Sequence, residues 1–169
     1  MSAKRKDLRE KGRRLLSEGC VTGDTSGRTR QMGEKSVFGL ASKNFGFSVS
    51  MSSLEKKKVF RKLKKQYNDK RAKTIIHSVK IFYAIKDYID IYPSFYICCD
   101  GFSEGLLKHY LKLFLNFKYH DKKINFLPSL KSLFGKKHPG HILAWNVKKG
   151  KMKPTLGLKE KHFKKLNLF

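Results

Sequence analysis

Residues 95–115, FYICCDGFSEGLLKHYLKLFL, change periodicity within a few positions, and the change restricts the fold. Phe95 to Cys99 are apolar with no helical period, which reads as a short buried strand. Asp100-Gly101 then stops the strand. From Ser103 onward Leu107, Tyr110, Leu111 and Phe114 fall at helical spacing, with Lys108, Lys112 and Asn116 opposite. Ser103 is placed to cap this helix, and Glu104 sits in its first turn, where the helix dipole favours an acid. Strand, tight turn and helix in succession predict an α/β domain. They also put the carboxylate of Asp100 at the C-terminal end of a central strand, where open α/β sheets bind ligands.

At 169 residues the chain is long enough for one domain with a real core. Its charge says more: 39 Lys+Arg against 13 Asp+Glu give a net +26. Such an excess opposes compaction by self-repulsion, and a polyanionic partner is the usual reason for it. Nucleic acid, RNA or DNA, is the expected partner, and a ribosome-associated role falls within that class. An acidic membrane surface is the alternative. No apolar run reaches the ~18 residues needed to span a bilayer, and the basic N-terminus has no apolar core of a signal peptide. Cys20, Cys98 and Cys99 form no C-x-x-C pair, so a zinc ribbon is not expected. They read as small buried residues in a reducing cytoplasm.

In chain order, residues 1–19 form a basic N-terminal arm, either lying on phosphates or solvated as a frayed helix. Val21-Thr22 ends a short strand. Asp24-Thr25-Ser26-Gly27 follows, which turn chemistry alone explains. Val37–Ala41 is a second strand, and Phe45, Phe47 and Val49 alternate with polar residues in a third. Residues 53–72 form a helix with a narrow apolar face and an otherwise basic surface. Residues 73–92 form an amphipathic helix with Ile75, Ile76, Val79, Phe82 and Tyr83 inward, Lys80 and Lys86 outward, and His77 in the core. Ile124–Leu127 alternates and is closed by Pro128, as at a sheet edge. Residues 129–139 are a basic loop or short helix; 140–147 favour a helix, with alternation at Ile142, Ala144 and Asn146 as the other reading. Residues 151–169 are a basic C-terminal tail beyond a domain at 20–150, ending as a short basic helix with Leu156, Leu158, Phe163 and Leu166.

This order resembles the ribonuclease H-like superfamily, in a variant whose first strand ends in D-E-S-G and is followed by a strand like F-V-L-G-G. The matching residues are Asp24-Thr25-Ser26-Gly27 and Val37-Phe38-Gly39-Leu40-Ala41, with Asp100 of YICCD as the second acid. The resemblance implies a mixed β-sheet flanked by helices, and a nuclease that hydrolyses phosphodiester bonds with Mg²⁺ or Mn²⁺. Asp24 and Asp100 would hold the metal and be catalytic. The family adds further acids, and here the chain departs from it: Thr25 stands where the family has Glu, and HPGHILAWNVKKG contains no acid. Glu104, His141 and Asn146 are the candidates to complete the catalytic set, with His138 nearby; for Glu104 the dipole role is the competing reading. The phosphate contacts are expected from Arg13, Arg14, Arg28, Arg30, Lys57, Lys58, Arg61, Lys64, Lys65, Arg71, Lys136, Lys137, Lys148, Lys149 and Lys151. Tyr67, Phe117, Tyr119 and Trp145 lie among lysines and are candidates to stack bases. The competing function is a non-catalytic RNA- or ribosome-associated binding protein on the same scaffold.

Overall fold

The computed structural model describes residues 3–27, 29–119, 121 and 123–169. Strands β1 (Val21–Ser26), β2 (Ser36–Ala41) and β3 (Gly46–Met51) form an antiparallel meander. The β2–β3 turn closes where the Ser42 amide donates to the Phe45 carbonyl. Strands β4 (Phe95–Cys98) and β5 (Ile124–Leu127) then add in parallel beside β1, and β5 is an edge as Pro128 suggests. With β6 (Leu156–Gly157) the mixed sheet has six strands in the order β5-β4-β1-β2-β3-β6.

Alternation along β2 assigns the two faces. Phe38 and Leu40 point to the main core, which they share with Val49, Phe95 and Ile97 from neighbouring strands. Helix α3 (Asp69–Ile85) covers this face with Ile75, Ile76 and Val79. Helix α4 (Glu104–Leu115) joins it through Leu107 and Leu111. The Asn68 side chain caps α3, which separates it from the basic helix α2 (Ser53–Leu63), itself capped by Ser52. Ser103 holds the N-cap position of α4, but its hydroxyl makes no capping bond.

Val37 and Gly39 point the other way, toward α6 (Pro139–Lys148). The docking is close because glycines meet. A Cβ on Gly39 would lie 2.5 Å from the Gly140 carbonyl oxygen and 2.6 Å from the Ala144 amide. The Gly140 amide also donates to Thr22 Oγ1 at 3.0 Å. This contact fixes α6 over β1 and β2 and so determines where its histidines point.

Three expectations are corrected here. Strand β1 does not end at Thr22: it runs through Asp24, which pairs with Gly39. Lys80 does not face outward but is fully buried, because it falls four residues after Ile76 on the core-facing stripe. Residues 151–169 are not a tail. Leu156-Gly157 pairs with Val49-Ser50, and Phe163 of α7 (Glu160–Lys164) is fully buried beside the main core. At the other end, α1 (Ala3–Ser17) packs against α5 (Lys131–Phe134), with Gly12 against the Leu133 carbonyl. Among the described residues no helix is long and apolar enough to cross a membrane.

Candidate active site

Asp24 is the fourth residue of β1 and faces α6. His138 is the N-cap of α6, and its Nδ1 accepts the His141 amide N–H at 3.4 Å. An accepting Nδ1 carries no proton, so the neutral ring has its proton on Nε2, 3.3 Å from Asp24 Oδ2. His141 Nδ1 lies 2.9 Å from the same oxygen. Asp24 Oδ1 accepts the Thr25 amide at 2.8 Å. Burial is the largest influence on Asp24 and would raise its pKa. The hydrogen bonds from His138, the Thr25 amide and His141 outweigh it and hold the carboxyl below the usual range. An ionised Asp24 only accepts, so His141 Nδ1 donates, and in the neutral ring Nε2 carries the lone pair. The His141 side chain is 41% exposed, against 3% for His138. One histidine is therefore a buried support and the other opens to solvent.

Asp100 lies just past β4, next to β1 in the sheet. It adopts a left-handed conformation (φ 48°), and a tight turn follows in which the Phe102 amide donates to the Cys99 carbonyl. Aspartate tolerates this conformation better than most residues. Its Oδ2 is buried with no hydrogen-bond partner among the described residues. Burial pushes the Asp100 carboxyl up; Lys80, the Thr29 amide and Arg30 oppose the rise, and the charge of Asp24 adds to it. The two carboxylates are thus driven apart, Asp24 down and Asp100 up, as in sites where two acids take different roles.

A buried cationic layer lies behind Asp100. Lys80 donates to Thr29 Oγ1 and, at 3.2 Å, to Ser36 Oγ. Lys56 donates to the Gln31 carbonyl at 2.7 Å. Burial lowers Lys80 to about 7 and Lys56 to about 8. Burial also holds His77 neutral, and its Nδ1 shares a hydrogen bond with Thr29 Oγ1 at 3.3 Å. Two lysines and a histidine thereby pin the loop between β1 and β2. The sequence offered one signal for this, a lysine in register with the apolar stripe of α3. Thr29, three residues beyond β1, had none.

The remaining candidates divide. Arg30 stacks over Phe102 at 4.9 Å, close enough to Asp100 to be felt by it. Lys148 pairs with Glu34 at 3.4 Å and reaches the backbone at Gly27. Glu104 does not join the site. It pairs with Lys108 at 2.7 Å and lines a groove along β5, as its helix-dipole role suggests. Asn146 does not join either: at ~100° per residue it lies about 140° around α6 from His141. Arg13, Lys57, Arg61, Lys65, Arg71, Lys136, Lys137, Lys149 and Lys151 are exposed. Arg14, Lys58 and Lys64 are paired with Glu18, Glu160 and Asp69. Arg28 and the Phe117 side chain lie outside the described residues. Burial pushes the Cys20 and Cys98 thiols up to about 12 and Cys99 to about 11, which removes them as nucleophiles at neutral pH.

Among the described residues no group of three or more His, Cys, Asp or Glu side chains forms a ready-made metal cage. No protein-family model matches the chain, and neither a curated protein nor a solved structure matches it.

Proposed function

We propose that the chain is a nucleic-acid-binding protein of ribonuclease H-like architecture that hydrolyses phosphodiester bonds with a divalent metal. The reading is carried by one relationship: Asp24 lies on β1 one residue past its last pair with the adjacent parallel strand β4, Asp100 lies just past the end of β4, and the Asp24 charge acts on Asp100. The antiparallel β1–β3 meander, with β4 and β5 parallel to β1, supports the fold assignment. The net charge of +26 supports a polyanionic substrate. The three unpaired cysteines suit a reducing cytoplasm.

The donor set fits Mg²⁺ or Mn²⁺. These ions need few protein oxygens and keep several waters, and Asp100 offers a buried carboxylate oxygen with no other partner among the described residues. Asp24 and Asp100 would hold the ion, which activates water and stabilises the leaving oxygen when bound. His138 and the Thr25 amide keep Asp24 ionised and fixed in direction. His141 presents Nε2 at the solvent side, where it can take or give a proton. Arg30 supplies positive charge to Asp100, and Lys148 supplies it at Gly27 just past β1, where a phosphate would approach.

A second reading, a non-catalytic RNA- or ribosome-associated binding protein, has its own observation. Both histidines occupy Asp24 Oδ2, and the buried Lys80 already supplies a cation beside Asp100. Cleavage of labelled single-stranded, duplex and hybrid substrates in Mn²⁺ and in EDTA, by the wild type and Asp100→Ala, separates the two. The nuclease reading requires metal-dependent cutting that the variant loses. Salt-sensitive binding by both proteins without cutting would leave the binding module.

A further inference from the structure

The sequence has a single tryptophan, Trp145. It lies on α6 four residues after His141 and three before Lys148, so the three share one flank of the helix. The tryptophan residue is 40% exposed. Exposure of a single aromatic is ordinary by itself, but the surroundings of Trp145 indicate a use.

Gly150 ends α6 with a positive φ of 77°. The Lys151 amide donates to the Asn146 carbonyl at 2.9 Å, and the Gly150 amide to the Val147 carbonyl at 3.2 Å. These are the two bonds of a Schellman stop, which needs a residue without Cβ strain at its left-handed position. The reversal turns the chain back along α6 and sets Lys151 Nζ 4.6 Å from the Trp145 ring centroid. Residues 148–153, KKGKMK, contain no acid. The indole is therefore an exposed π-surface braced by a cation, inside a basic strip, about 6 Å along the helix axis from His141.

We propose that Trp145 is the stacking platform for one base of a single-stranded nucleic acid, next to the Asp24–His141 pair. This rests on the nucleic-acid reading above and narrows it to strands with unpaired bases, because a ring can stack only on an open base face. Lys148, Lys149 and Lys151 take the adjoining phosphates. Trp145 thus sets which nucleotide lies over the acids, and it does so without reading sequence, since every base has a π-face.

The single tryptophan makes the test direct. The full chain is titrated at low salt with oligothymidylate of roughly ten nucleotides. Anisotropy of a label on the oligonucleotide reports binding anywhere, and intrinsic fluorescence reports contact at Trp145 alone. Both signals are expected to saturate together, whereas an abasic strand of equal charge binds with little quenching. Trp145→Ala should weaken binding of the single strand by roughly 5- to 100-fold, Trp145→Phe much less, and neither should change duplex binding. Binding without quenching, with Trp145→Ala at wild-type affinity, overturns the stacking site and leaves the nucleic-acid reading standing. No anisotropy change with any single strand or duplex overturns both.

Discussion

His141 Nδ1 lies 2.9 Å from Asp24 Oδ2, across 117 residues of chain, and Gly39 and Gly140 make that distance attainable. Without a side chain at either glycine, α6 settles onto β1 and β2 closely enough for its histidines to reach the carboxylate. Gly140→Ala would place a Cβ 2.3 Å from the Thr22 carbonyl oxygen, and Gly39→Ala one 2.5 Å from the Gly140 carbonyl oxygen. Both obstacles are backbone, which cannot swing aside. Each substitution should destabilise the fold by about 1–3 kcal/mol as α6 lifts. Urea unfolding measures the loss, and nitrogen chemical shifts of the His141 ring should report a weakened bond to Asp24. Wild-type stability in either variant would show that the two surfaces are looser than described.

The same carboxylate gives an acid signature. The folded-state pKa of Asp24 lies below its unfolded value of ~3.9. Such a group contributes stability that is present above the unfolded value and lost as pH falls through the folded one. Urea midpoints of the wild type should therefore fall more steeply below about pH 4 than those of Asp24→Asn. Asp24→Ala leaves the His138 ring N–H and the Thr25 amide without their acceptor, and should cost about 1–3 kcal/mol at neutral pH. Parallel acid limbs for the wild type and Asp24→Asn would mean that the histidines do not hold Asp24 ionised.

Lys80 titrates with the opposite consequence. Its folded-state pKa is lowered to about 7 by burial, against ~10.4 in an unfolded chain. Between these values the unfolded state binds more protons, so stability rises with pH across the window. Lys56, lowered to about 8, adds in the same direction. Lys80→Met should reduce this rise without abolishing it, and should leave Asp100 without its strongest attracting charge. Unfolding midpoints from neutral pH to about pH 10 test this. Equal slopes in the two proteins would place the Lys80 ammonium in water.

What was legible in the chain was local, and what was hidden was long-range. The β4–turn–α4 unit, the alternation of β3 and the stripe of α3 each follow from a few neighbouring residues, and so did a buried His77. Strand β1, VTGDTS, has one apolar residue, yet it lies centrally between β2 and β4. Its polar positions are satisfied by groups far along the chain: Thr22 by the Gly140 amide, Asp24 by His138 and His141. Gly23 leaves room for the Phe38 ring, which lies 2.6 Å from where its Cβ would be. No periodicity records such pairings. The lack of an acid in α6 was visible, but only the helix register shows that His141 and Lys148 share one flank while Asn146 turns away.

The C-terminal segment was legible in part: its apolar residues marked a short helix, but a two-residue strand leaves almost no pattern. Phe163 is fully buried and stacks on Phe169 at 6.4 Å. Phe163→Ala should cost about 3–5 kcal/mol, the price of a large cavity in a core. A tail lying outside the fold would cost almost nothing. The urea midpoint of the variant distinguishes the two, and a loss below about 1 kcal/mol would detach residues 151–169 from the core.

Helix α2 offers an internal comparison for the electrostatics of binding. Lys58 and Lys62 are held by Glu160, at 3.0 and 2.6 Å, and together they lower that carboxyl to about 2. Lys57 and Arg61 are exposed one turn apart, and neither forms an ion pair among the described residues. A cation already neutralised by a carboxylate releases few counterions from a phosphate, whereas a free one releases nearly a full complement. Log affinity for duplex DNA should fall with log salt at a slope of about −0.9 per phosphate contacted. Lys57→Ala and Arg61→Ala should each make the slope shallower by about 1, and Lys58→Ala and Lys62→Ala by much less. Binding isotherms across a salt series give the four slopes. If the paired and unpaired lysines change the slope equally, α2 does not follow the phosphates. If the wild-type slope is itself flat, the positive charge of this chain serves some partner other than nucleic acid.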